Sequence, residues 1–320
     1  MNKYAVKAAV LCLLACISLS GCSRSADEKD PVVPAREEGV TFTDDLGRSV
    51  TVSSPQRVVT LIGSFTDVWL LSGGSVVGAC DDSWSSLGLD LPDGVINTGK
   101  VSEPNLESIL SADPDFIIAS VNTAANVELL DTFDELGISC AYFDVSNFGD
   151  YLDMLKICTD ITGRSDLYEK NGLDVQEQIE KAIQRADGSA PEVLYLRTST
   201  KSIQAKKSEG NVCGEILDNL GCVNIADSDE SILENLSLEA IMRADPDYIF
   251  VTPQGSDKEA AIANIEETFT SSPAWQTLRA VKEGRYYVLD PYLYNLKPNE
   301  RWGEAYEKMA DILYPENSER

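Results

Sequence analysis

Leu106-Glu107-Ser108-Ile109 leads to Ala112-Asp113-Pro114-Asp115-Phe116-Ile117, and Leu238-Glu239-Ala240-Ile241 leads to Ala244-Asp245-Pro246-Asp247-Tyr248-Ile249. The offset between the copies is constant: 239 − 107 and 245 − 113 are both 132. Each copy reads as a short helix, a stop imposed by proline, and then a buried strand. Two copies of such a unit define two lobes of related architecture, whereas a solenoid would need more repeats.

Outward from each copy, strand-like and helix-like segments alternate. Residues 58–62, 76–80, 116–119 and 139–143 are short and β-rich, with helical stretches at 67–71 and 124–136 between them. The second half follows the same plan with 193–197, 222–225, 248–252 and 286–289. This alternation predicts an α/β fold of two lobes, each with a mainly parallel sheet covered by helices. Thr41-Phe42-Thr43 and Val50-Thr51-Val52, either side of Asp45-Leu46-Gly47, predict a hairpin ahead of the first lobe. Between the halves, residues 151–186 are strongly helical with an interruption near Gly163. Leu167, Leu173, Ile179, Ala182, Ile183 and Ala186 share one helix face there. From 165 to 186 this gives a stiff strut of about 33 Å at 1.5 Å per residue, which permits only a modest hinge.

The first residues are a targeting segment. Lys3 and Lys7 precede an apolar run over residues 8–19, about a dozen residues and short of the ~20 that span a bilayer. The run ends in Leu19-Ser20-Gly21-Cys22, which resembles a bacterial lipobox with Cys22 as the lipidated residue. Residues 23–38 are rich in Ser, Asp, Glu, Lys and Pro and cannot bury enough apolar surface to order themselves. The expected organisation is a signal peptide at 1–21, a tether at 22–39, an N-terminal lobe at 40–148, linker helices at 149–188 and a C-terminal lobe at 189–320. The lipid at Cys22 would be the only membrane attachment and the body would lie outside the cytoplasm.

The chain of 320 residues carries 26 basic and 53 acidic side chains, a formal charge of −27. Such a surface disfavours nucleic acid. There is no histidine, which removes imidazole general bases, Ser-His and Cys-His nucleophiles, and His-ligated zinc or haem. Five cysteines follow Cys22, an odd number with no C-x-x-C spacing: Cys80, Cys140, Cys158, Cys213 and Cys222. Cys140 and Cys158 fall on apolar faces as small hydrophobes. Cys213 and Cys222 flank one short helix, and the sequence leaves their pairing open.

Two α/β lobes joined by a long helix behind a lipobox resemble the binding proteins for iron-siderophores, haem and cobalamin. Asp44-Asp45-Leu46-Gly47-Arg48, Pro55-Gln56-Arg57-Val58-Val59 and the late stretch Lys297-Pro298-Asn299-Glu300-Arg301-Trp302-Gly303 also fit that family. The resemblance runs over residues 40–315 and implies a monomeric, non-enzymatic solute-binding component of an ABC importer without a resident cofactor or metal. Its partners would be a permease dimer with its ATPase, and a bulky metal chelate held between the lobes. The resemblance further implies that Glu107 and Glu239 dock into arginine pockets of the two permease subunits. Both also stand two positions after the N-cap candidates Asn105 and Ser237, where the helix dipole alone favours a carboxylate.

Ligands of parallel α/β folds bind beyond the carboxyl ends of strands. Those loops offer Ser64, Phe65, Trp84, Lys100 and Asn122 in the first lobe, and Arg197, Lys201, Gln254, Tyr292, Tyr294 and Arg301 in the second. Asp81, Asp82, Lys206, Lys207 and Lys297 lie in the same loops, while Trp302 and Tyr306 stand at helical spacing as core residues. Aromatic planes suit the flat faces of a chelate, and Arg or Lys its acidic groups. A ferric siderophore ranks first as ligand, with cobalamin or a haem held by Tyr292 or Tyr294 behind it. Gly63-Ser64-Phe65-Thr66-Asp67 lacks the G-x-S-x-G pattern of a nucleophile elbow, so a hydrolase is disfavoured. A sensor or surface-interaction protein on the same fold is the remaining alternative.

Overall fold

A computed structural model describes residues 39–315 apart from 235 and 256. The signal segment, Cys22 and the tether up to residue 38 lie outside the described residues. Val40–Thr43 and Ser49–Val52 form the expected antiparallel hairpin. Asp44 sets its turn by accepting from the backbone N–H of Leu46 and Arg48 and from the Arg48 guanidinium. The first-lobe sheet has five strands, all parallel, in the order Ile96–Asn97, Val76–Ala79, Val58–Thr60, Phe116–Ser120, Ser139–Phe143. In the second lobe Glu192–Thr198 pairs in parallel with Val223–Asn224 on one edge and with Tyr248–Pro253 on the other. Tyr286–Val288 extends that sheet in parallel, and Ile203–Ala205 adds its single antiparallel strand.

The repeat has a mechanical purpose. Asn105 and Ser237 cap the helices Leu106–Ser111 and Leu238–Ala244, accepting from Ser108 N and Ala240 N. Asp113 and Asp245 then turn the chain in the left-handed region, at φ 49° and 41°, a conformation Asp tolerates better than most residues. The second aspartate of each Asp-Pro-Asp ties two strand starts together. Asp115 accepts from Gln56 N and Arg57 N at 2.8 and 2.9 Å, and Asp247 accepts from Glu192 N at 2.9 Å. Arg57 and Arg279 complete the two turns on the carbonyls of Asp113 and Asp245. Asp115→Ala leaves two strand-start N–H groups without their acceptor. It should cost about 2 kcal/mol, read as a lower urea midpoint at unchanged slope; an unmoved midpoint would show that water replaces the carboxylate.

The linker begins at Phe148–Thr162, opened by a capping box between Asn147 and Asp150 and closed by Gly163 at φ 73°. Ser165–Tyr168 continues through a π turn over Glu169–Leu173 into Asp174–Ile183. The predicted strut is therefore helical from Ser165 to Ile183, ending before the expected 186, with a bulge where a Cβ on Gly172 would come within 2.7 Å of Leu152. Its last helix packs along Trp302–Leu313. One apolar cluster runs from Val58, Phe65 and Phe116 through Tyr151 and Ile179 to Tyr195, Phe250, Trp302 and Tyr306. It joins the inner faces of both sheets to the linker, and Trp302 and Tyr306 are core. The opposite sheet faces have clusters of their own around Ile117 and Phe133, and around Leu196 and Val251. Both sheets are thus covered on two sides, as parallel strands require.

Two local expectations change. The helix predicted at 67–71 starts at Gly63, and the stretch predicted at 124–136 splits into Ala124–Val127 and Leu130–Glu135. Cys80, Cys140, Cys158, Cys213 and Cys222 are all buried free thiols. Burial pushes the thiols of Cys140, Cys158 and Cys222 up to about 12.

Candidate ligand site between the lobes

In each sheet the first strand has neighbours on both sides, so the chain reverses its direction of winding there. That switch point opens a crevice at the carboxyl ends of the strands. In the first lobe it lies between Val58–Thr60 and Phe116–Ser120, and in the second between Glu192–Thr198 and Tyr248–Pro253. The segment 295–301 brings the lobes into contact. Asn299, fully buried, donates through Nδ2 to Ser64 O at 2.9 Å and to Asp67 Oδ2 at 2.7 Å. A cavity of about 100 Å³ sits beside this contact, lined by Ile62, Ser64, Asp82, Ser86 and Leu87 on one side and Asn295, Leu296 and Lys297 on the other.

The helix Gly63–Leu71 points its N-terminus at this cavity and has no side-chain cap of its own. Asp82 supplies one from nineteen residues away, accepting from Gly63 N at 2.9 Å. A buried hydroxyl chain, Thr60 to Thr66 at 2.6 Å and Thr66 to Ser83 at 2.9 Å, locks the helix to its flanking segments. Lys297 reaches across from the second lobe and lays its ammonium 5.7 Å from the centre of the Phe65 ring. Burial pushes its pKa down, opposed by the charges of Asp144, Asp82 and Asp150. Among the described residues no carboxylate forms an ion pair with it. In the second lobe the Nε of Arg197 is buried and, among the described residues, without an acceptor. Lys206 stands near enough for the Arg197 charge to add to the effect of burial in lowering its pKa. The cleft thus offers donors of positive charge that the protein's own acids leave unpaired.

The predicted residues divide accordingly. Ser64 lines the cavity, and Arg197 stands at the carboxyl end of its strand with an unmet donor. Trp84 is half-buried against the first-lobe core, and the cavity wall next to it is made by Asp82, Ser86 and Leu87 instead. Asn122 is exposed and donates to Asp144 at 2.6 Å. Lys100 and Lys201 are exposed, and Gln254 is half-buried with its N–H on Thr198 O. Tyr292 carries Lys258 over its ring at 4.9 Å. Two residues need correction, and a third, Arg301, shares its charge with a neighbour. Phe65 is fully buried and belongs to the core, touching the cleft only through the ring face beneath Lys297. Tyr294 is buried at 3 % exposure and spends its hydroxyl on Ala305 O at 2.9 Å. Arg301 is engaged by Glu304 at 2.8 Å. The residues that the sequence underrated are Lys297, Asp82 and Asn299. Lys297-Pro298 fixes an extended lysine before a proline, the one local sign that it was placed to reach. Among the described residues no group of three His, Cys, Asp or Glu side chains stands close enough to hold a metal ion.

Two sheets opening toward one cleft, with a rigid helical linker and a shared core, define a two-lobed binding protein. The chain belongs to the periplasmic binding protein family, whose model matches residues 58–293. The Fe(3+)-citrate-binding protein YfmC of Bacillus subtilis is 28% identical over 306 residues, covering 90% of each chain. An uncharacterized ABC transporter substrate-binding lipoprotein of the same organism, YvrC, is 24% identical over 316 residues and covers 95% of each. Among solved structures, Staphylococcus aureus SirA complexed with staphyloferrin B superposes with a TM-score of 0.64 at 22% identity, covering 86% of this chain and 97% of that one.

Proposed function

We propose that this chain is the lipid-anchored, extracytoplasmic solute-binding component of an ABC importer, and that it captures a ferric siderophore with acidic groups. The observation that carries the ligand class is the unpaired charge of the cleft. In a chain of net charge −27, Arg197 keeps its buried Nε without an acceptor and half-buried Lys297 has no ion pair among the described residues, a cost that an anionic ligand offsets. The ferric-citrate relative supports the same class. Haem ligation through Tyr294 loses its donor to Ala305, and nothing in the cleft favours a tetrapyrrole over a carboxylate-bearing chelate. Docking through Glu107 and Glu239 is supported by their isolation. Both are exposed and, among the described residues, neither carboxylate makes a hydrogen bond or ion pair.

The test is a titration of the purified chain with ferric citrate, ferric hydroxamate, haem and cobalamin, followed by tryptophan fluorescence. Lys297→Met keeps the aliphatic stem and removes the charge, and Arg197→Met does the same on the other wall. Each should weaken ferric citrate binding by about ten- to a hundredfold, the worth of one charge-assisted contact. Unchanged affinity in both variants, or tight binding of a neutral ligand alone, would overturn the assignment.

A further inference from the structure

The polar residues shared by the two repeats are accounted for inside the protein except one pair. Asn105 and Ser237 cap, Asp113 and Asp245 turn, and Asp115 and Asp247 tie strands. Glu107 and Glu239 face solvent. One more shared position does so against its chemistry: Leu110 is 37 % exposed and Met242 is 40 % exposed. Their numbers differ by 242 − 110, the same 132 that relates the glutamates.

A single exposed leucine or methionine calls for no explanation. Equivalent exposure in both lobes does. Among the described residues, the other large apolar side chains at the surface are Leu46, Leu136, Leu173, Val223 and Val288. At an offset of 132 these correspond to Gln178, Thr268, Thr41, Leu91 and Lys156, none of them an exposed apolar residue. Glu107 and Leu110 stand three positions apart on one helix, as do Glu239 and Met242, so each pair presents neighbouring side chains on one face. Each helix feeds directly into the strand lying next to the first strand of its sheet, Phe116–Ser120 and Tyr248–Pro253. Helices between parallel strands run opposite to them, which sets both helix N-termini level with the carboxyl-end loops of the cleft. The surface is therefore a carboxylate beside an apolar knob, presented twice at the level of the cleft mouth.

We infer that Leu110 and Met242 are the apolar half of a two-point docking surface, each seating in an apolar recess beside a cationic side chain on one of two like permease subunits. This rests on the docking reading of Glu107 and Glu239. The charge fixes the direction of approach, and the knob supplies desolvated contact that an exposed carboxylate alone lacks. Leu and Met fill the same kind of recess, since an unbranched thioether adapts to a leucine-shaped hole.

The test uses the full-length lipidated chain, affinity-tagged and extracted in detergent from its own membranes, with the co-purifying permease identified and quantified by mass spectrometry. Leu110→Ser with Met242→Ser should lower recovered permease at least tenfold, as Glu107→Lys with Glu239→Lys does, while ferric citrate affinity and melting temperature stay at wild-type values. The exchange of Leu110→Met with Met242→Leu should retain full recovery. Wild-type recovery by the serine pair, with loss by the lysine pair, would overturn the inference and leave the glutamate docking standing. Wild-type recovery by both would remove both readings. A serine pair that melts lower or binds ligand less well, or that loses self-association of the chain instead of permease, also overturns it.

Discussion

Glu107→Lys combined with Glu239→Lys is expected to abolish solute uptake while ligand affinity stays within about twofold of wild type. The separation follows from position. Both carboxylates lie at the surface of short helices whose caps are Asn105 and Ser237, so the helices remain closed at their N-termini. What the substitutions remove internally is a dipole interaction of about 0.3–1 kcal/mol at each helix. What they introduce is a cation on each lobe where the proposed docking places a cation of the partner, and like charges brought together at an interface cost several kcal/mol. Cells expressing the double variant as their only copy, assayed with radiolabelled iron citrate, should show uptake at the level of a deletion strain. A fluorescence titration of the same variant should match wild type. Normal uptake would mean that the repeat conserves these carboxylates for helix stability alone.

The second large effect is on stability against pH. Glu300 sits at the lobe contact beside Asn299, facing Asp67 from the helix Gly63–Leu71 and Tyr151 from the linker, with Arg301 and Glu304 on its own segment. Burial, reinforced by the charge of Asp67, pushes its carboxyl up to about 7, and its Oε2 is among the buried atoms without a partner. Glu215 on Val212–Asn219 meets the start of the linker, accepting from Phe148 N at 3.5 Å, and burial pushes it to about 7 as well. Both groups hold a proton in the folded chain that they lose near pH 4.5 when unfolded. Their contribution is therefore fully present below pH 4.5, falls as pH rises to about 7, and is flat above. After discounting for solvent on these half-buried groups, the loss is about 1 kcal/mol each. Wild type should melt about 5 °C lower at pH 8 than at pH 5 from these two groups. Glu215→Gln with Glu300→Gln should remove most of that slope and raise the melting temperature at pH 8. An unchanged slope would place the titration elsewhere.

Much of the frame was legible because its signals are local. Asp-Pro-Asp stops a helix and starts a strand wherever it occurs, and a sequence of β-rich runs separated by helical stretches leaves few arrangements open. The cleft was less so, because a loop's position does not reveal which way its side chains turn. Phe65 and Tyr294 lie at the ends of the right strands yet point into the core, and the Tyr294 hydroxyl finds its acceptor eleven residues away. Gly63-Ser64-Phe65-Thr66 reads as loop because its helix start is capped by Asp82 from another segment, a pairing that exists only in three dimensions. Lys297 looked like one basic residue among several until the fold set it against Phe65, with Asp82 and Asp144 of the opposite lobe and Asp150 of the linker nearby. The recurring exposure of Leu110 and Met242 is visible only once burial is known, since in sequence both pass for ordinary helix faces.

The shared core has a consequence for how the chain is made. The helix Trp302–Leu313 follows every strand of both sheets along the chain, yet it lies along the linker and its Trp302 meets Phe148 edge-on at 6.3 Å. The second lobe and the linker cannot complete their shared face before that helix arrives. Lobe-by-lobe maturation is closed to this chain: the twelve residues Trp302–Leu313 act as the keystone that ties the second lobe to the linker and makes one cooperative body.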